Sequence, residues 1–135
     1  MANALYDLAR QAFLDGDLDW SANDIKVYLI DVADYTVNLA TDQFANVIAA
    51  AAKVATSANL AGKTVTNGVA DASDTVFTSV TGDPCEALVI WQDTGNQATS
   101  RLIAYIDTAT GLPVTPNGNN IDLIWDNGAN KIFKL

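Results

Sequence analysis

From Lys53 onward the chain is cut into short Val/Thr/Ile-rich stretches by turn-forming residues, and this rhythm limits the fold more than any other feature. Strands are expected at residues 54–57, 63–66, 75–80, 87–92, 100–107, 121–125 and 131–134, where β-branched and aromatic side chains gather. Between them stand Asn67-Gly68, Gly82-Asp83-Pro84, Thr94-Gly95-Asn96, Pro116-Asn117-Gly118 and Asn127-Gly128, each able to reverse the chain. Many short strands at this spacing predict an antiparallel sandwich or barrel. Helical segments do not alternate with the strands, which argues against a parallel doubly wound sheet.

The first third reads differently. Leu5, Leu8, Ala9, Ala12 and Phe13 recur at spacings of three and four, which predicts an amphipathic helix over residues 3–14, capped by Asn3 and ended by Gly16. Ile25–Ile30 reads as a strand. Residues 41–48 read as a short helix capped by Thr41 that packs Phe44, Val47 and Ile48. The expected class is therefore α+β, mainly antiparallel β (sandwich or barrel) with an N-terminal helix, in a single domain spanning residues 1–135. Two hairpins are expected. One joins residues 88–91 to 102–106, apolar on both faces and hence central; the other joins 121–125 to 131–134 through Asp126-Asn127-Gly128. Trp91 and Trp125 read as core.

Composition narrows the chemistry. The chain has no histidine, so Ser-His-Asp and Cys-His nucleophile systems and His-ligated metals are excluded. Its one cysteine, Cys85, makes neither an intrachain disulfide nor a thiolate cage and reads as a small buried hydrophobe. Fifteen of the sixteen acidic residues are aspartate, a residue of turns and caps. A net charge of −9 with scattered basic residues argues against nucleic acid as a partner. No apolar run reaches the length of a membrane span, and the opening lacks the basic segment of a secretory signal, so synthesis in a cytoplasm is expected.

Three patterns invite chemistry. Ala61-Gly62-Lys63-Thr64 imitates the end of a phosphate-binding loop, but Ser57 stands where that motif has glycine, and a strand-like segment follows. Asp15, Asp17 and Asp19 alternate as in a calcium loop, yet Trp20 and Lys26 occupy the positions of its glycine and bidentate glutamate. They remain candidates for a weak divalent-ion site. Asp93-Thr94-Gly95 is the catalytic tripeptide of aspartic proteases, in which paired aspartates share a proton, and it makes a small dimeric protease the enzymatic alternative. Gln92 and Asn96 flank it where that family has apolar and small residues, no later Gly-Arg-Asp or Gly-Arg-Asn segment follows, and a hairpin connection explains it without chemistry. No pair of aspartates is marked as a glycosidase acid and nucleophile.

Both ends carry a further pattern: residues 1–16 (MANALYDLARQAFLDG), then Asp24-Ile25-Lys26-Val27, Val54-Ala55-Thr56-Ser57, Cys85-Glu86-Ala87-Leu88-Val89-Ile90, residues 101–107 (RLIAYID) and residues 111–118 (GLPVTPNG) through Trp125-Asp126-Asn127-Gly128. In these segments the chain resembles a family of short tailed-bacteriophage virion structural proteins. The resemblance implies a non-enzymatic virion component, and specifically a capsid cement or decoration protein. Such a protein binds the major capsid protein from outside as a homo-trimer, without cofactor, nucleic acid or membrane. A tail, connector or head-fibre component is the alternative within that class. Leu5, Leu8, Leu112 and Val114 are the apolar residues expected to contact the partner if the core does not claim them.

Overall fold

The computed structural model describes residues 3–135. In chain order it contains β1 (Ala4–Leu5), α1 (Asp7–Asp15), β2 (Ile25–Ile30), β3 (Lys53–Thr56), β4 (Thr64–Thr66), β5 (Val69–Asp71), β6 (Thr75–Phe77), β7 (Ala87–Gln92), β8 (Leu102–Ile106), β9 (Ile121–Leu123) and β10 (Phe133–Lys134). Single 3-10 turns sit at Ala45–Val47 and Ala50–Ala52. All strand pairs are antiparallel. They form sheets of order β1-β8-β7-β2-β3, β10-β5-β4 and β6-β9. The architecture is α+β and sandwich-like; the three sheets do not close into a barrel.

Register explains why the central strands are apolar throughout. Leu5, Ala104, Ile90 and Val27 lie side by side across four strands, and Ile106, Leu88 and Leu29 form the next row on the same face. Tyr105, Val89 and Tyr28 form a row on the opposite face. Both faces are covered, so every residue from Ala87 to Trp91 and from Leu102 to Ile106 is buried. Over the first face lie Phe77, Ile121 and Leu123 from the β6–β9 ribbon, which enclose a small void together with Leu29 and Leu88. Over the second lies the irregular stretch 31–52, whose Tyr35 ring meets Tyr105 edge-on at 6.5 Å. The expected hairpin of residues 88–91 with 102–106 is present as β7–β8. Trp91 and Trp125 are core, at 3% and 6% exposure.

Several expectations need correction. The helix begins at Asp7, and Asn3 does not cap it: the Asn3 Oδ1 accepts the Asp107 and Thr108 N–H groups, fastening β1 beside the end of β8. Sheet pairing thus claims Ala4 and Leu5 before the helix can start. Gly16 does end α1, in the left-handed conformation at φ 82°. Residues 41–48 are not a helix. Phe44 is extended and bridges Arg101, while Ala45 N–H donates to the Ser100 carbonyl and Leu102 N–H to that of Gln43. The start of β8 therefore captures this segment as an edge and leaves only a 3-10 turn.

The second hairpin is also absent. Gly128 N–H does bond the Asp126 carboxylate in the expected turn, but β9 pairs with β6 and β10 with β5. The Trp125 backbone N–H donates to Asp74 and its indole to the Ser73 carbonyl, so the chain leaving β9 is tied to the head of β6. The strand β5, not expected from sequence, pairs with β4 across Asn67-Gly68, whose φ values of 53° and 79° suit a tight hairpin turn.

Ile90 is fully buried and Ile124 is 68% exposed, so truncating each to alanine separates core from surface. Ile90→Ala should lower the unfolding free energy by about 3 kcal/mol, and Ile124→Ala by no more than about 0.5 kcal/mol. Urea unfolding followed by tryptophan fluorescence measures both; equal losses would contradict this layering.

Candidate functional site

Most polar side chains that the sequence marks for chemistry are engaged in holding turns. Asp93 leaves the end of β7 with its carboxylate 2.6 Å from the Lys26 ammonium and 2.8 Å from the Gly95 N–H. Lys26, with help from the Gly95 amide, holds this carboxyl below the usual aspartate range. Thr94 bonds Thr99 and Ser100 across the same β7–β8 loop. Asp-Thr-Gly is thus the opening of a braced hairpin loop, and the group beside Asp93 is a lysine.

Asp15, Asp17 and Asp19 do not converge. Asp17 pairs with Arg101 at 3.4 Å, and Asp19 accepts the Ser21 and Ala22 N–H groups as a turn cap. Gly62-Lys63-Thr64 leads into β4, and the Lys63 ammonium is bonded to the Asn23 carbonyl. Cys85 is fully buried, and burial, with Glu86, Asp31 and Asp83 nearby, pushes its thiol up to about 12. A thiol held in that form is a poor nucleophile.

The residues expected to meet a partner divide by burial. Leu5 is 4% exposed and belongs to the central sheet, so it offers no free surface. Leu8, Leu112 and Val114 are half-buried. Leu112 and Val114 pack against the core, and Val114 also exchanges backbone hydrogen bonds with Cys85. Among the described residues, the large apolar side chains that do stand free are Leu14, Val47, Val65, Val76, Ile124 and Leu135.

Two arrangements were not visible in the sequence. Asp31, Asp34 and Asp83 each bring one carboxylate oxygen within 4.8 Å of the others, with Asp31 buried and bonded to the Ala33 N–H. The 31–34 turn and the 82–84 turn are remote in the chain, so no spacing announces them. Three hard oxygens are what a divalent cation takes, and clusters of this kind are also ordinary on acidic surfaces.

The larger feature is an open cleft of about 1020 Å³. One wall is the run Thr108 to Gly111 after β8, and the other is the run Asp122 to Asn127 from β9 onward. Leu88, Ile106, Leu123 and Trp125 supply apolar surface, while Asp122, Asp126 and Lys131 supply charge. A concave site with apolar walls and a few polar groups is the usual form of a binding site. It assembles from four separate chain segments, and for that reason no local motif encodes it. In comparison with known proteins, no family model and no curated protein matches the chain.

Two measurements check these assignments. Iodoacetamide at about pH 8 should leave Cys85 unmodified in the native protein and alkylate it fully in urea; rapid native alkylation would contradict its burial. Asp93 binds protons more weakly folded than unfolded, so its contribution to stability is full above the ordinary aspartate value of about 3.9 and is lost as pH falls through its lower folded value. The urea midpoint of Asp93→Asn should therefore lie below that of the native protein at about pH 6, with the gap narrowing near pH 2.5. A gap independent of pH would rule out the Lys26 pairing as its source.

Proposed function

We propose that this protein is a non-enzymatic structural component of a tailed-phage virion, a cement or decoration protein that binds the outer face of the capsid. Its partner is the major capsid protein, it acts as a homo-trimer, and it joins the particle after synthesis in the host cytoplasm. The observation that carries this reading is the distribution of free apolar side chains. Leu14 at 83% exposure on α1, Val65 at 55% on β4, and Val76 at 44% with Ile124 at 68% on the β6–β9 ribbon lie on an acidic surface. Each is too small a patch to bind tightly alone, and a net charge of −9 discourages nonspecific aggregation. Several such patches engaging a lattice together gain affinity by avidity. The braced Asp93 loop and the buried Cys85 thiol suit a molecule that adheres better than one that turns over a substrate.

Cryo-electron microscopy of the virion, with heat-release measurements on particles lacking the protein, tests the proposal. Copies should cover the shell as trimers, and depleted particles should assemble but release DNA at a lower temperature. A single ring at the vertex or tail would favour the connector or tail role, and absence from particles would remove the virion reading altogether.

A further inference from the structure

We propose that the outer edge of β9 is a docking site for an extended, basic segment of a partner protein, which adds to the β6–β9 ribbon as a third strand. Among the described residues, the strand β9 pairs with β6 alone. Along a strand, N–H and C=O groups point alternately to the two sides. Trp125 N–H is directed to Asp74 at the head of β6, so Leu123 and Ile121 direct theirs the same way. The N–H and C=O groups of Asp122 and Ile124 therefore point away from β6. Neither residue makes a hydrogen bond to any described residue outside the β6 ladder. The side they face is the open cleft, whose lining includes every residue from Asp122 to Asn127. Backbone donors and acceptors along an unpaired edge are what strand addition uses.

Side chains define the occupant. In the ribbon Leu123 points inward and is buried, while Asp122 and Ile124 point outward and are exposed. A strand laid along β9 places alternate side chains against the apolar surface of Leu88, Ile106 and Trp125. Its other side chains stand beside Asp122. Asp122 has no ion pair among the described residues, the lining as a whole carries two carboxylates against the single cation Lys131, and the surrounding chain is at −9. The complement is a strand that alternates apolar residues with lysine or arginine. The inference does not depend on the virion reading: it specifies the segment, whichever protein carries it.

A capped heptapeptide of alternating valine and lysine is the probe, titrated into the intact protein by NMR. Binding with a Kd below about 1 mM is expected, with shifts concentrated at residues 108–111 and 122–125. Two N-methylated versions, each blocking one alternate set of peptide amides, should differ by about tenfold or more, because only one set faces β9. A valine–glutamate peptide and the Asp122→Lys variant should each bind about tenfold more weakly. Asp122 is exposed, so this variant folds as the native protein does. No binding at about 5 mM, equal binding by the two N-methylated peptides, or equal binding by the glutamate peptide would each overturn the proposal. Failure here leaves particle decoration standing, and absence of the protein from virions leaves the β9 site standing.

Discussion

Withdrawal of β7 and β8 from water on both faces is the constraint from which the rest of the fold follows, because strands with no solvent face need a cover above and below. Each large side chain so buried is worth about 1.5 to 3 kcal/mol, and rows of them run across β1, β8, β7 and β2. A chain of 135 residues has few elements with which to provide two covers. It builds one from the β6–β9 ribbon and the Leu112–Val114 stretch, and the other from the irregular segment between β2 and β3.

The irregular cover is held by polar chemistry in place of a ladder. Tyr6 and Tyr35 share a hydrogen bond of 2.9 Å between their hydroxyls, and Tyr35 donates to the Asp42 carboxylate at 2.7 Å. The same carboxylate accepts the Asn38 N–H, so a relay from the start of α1 closes the loop upon itself. Burial raises the pKa of both phenols well above the ordinary tyrosine value, so the hydroxyls stay protonated. Buried hydroxyls are costly without partners, which gives this segment one satisfied arrangement against the sheet despite its lack of strands.

Local signals in the sequence proved legible where local physics decides. The apolar Ile25–Ile30 and Ala87–Gln92 runs are strands to the residue, Gly16 ends its helix, and Asn67-Gly68 turns a hairpin. The aspartate surplus is turn chemistry: Asp19, Asp31, Asp93 and Asp126 each accept an N–H two residues on. What could not be read was decided by partners distant in sequence. Phe44 is extended because Arg101 lies beside it, and β9 leaves the expected hairpin because Trp125 is claimed by Ser73 and Asp74. The cleft fails for the same reason at larger scale, since its floor and walls come from residues 3, 88, 106, 108–111, 122–127 and 131–132.

The three tryptophans have unlike environments. Trp20 and Trp125 donate their indole N–H groups to the carbonyls of Asp71 and Ser73, gripping the short connection between β5 and β6 from two sides. Trp91 lies flat against Tyr28 at 4.4 Å, on the other face of the central sheet, and its buried Nε1 finds no acceptor among the described residues. An indole proton without an acceptor resonates upfield of hydrogen-bonded ones, and this indole is stacked on a neighbouring ring. The molecule therefore carries a resolved spectroscopic label on each side of its sandwich. One side can be watched loosening while the other remains closed.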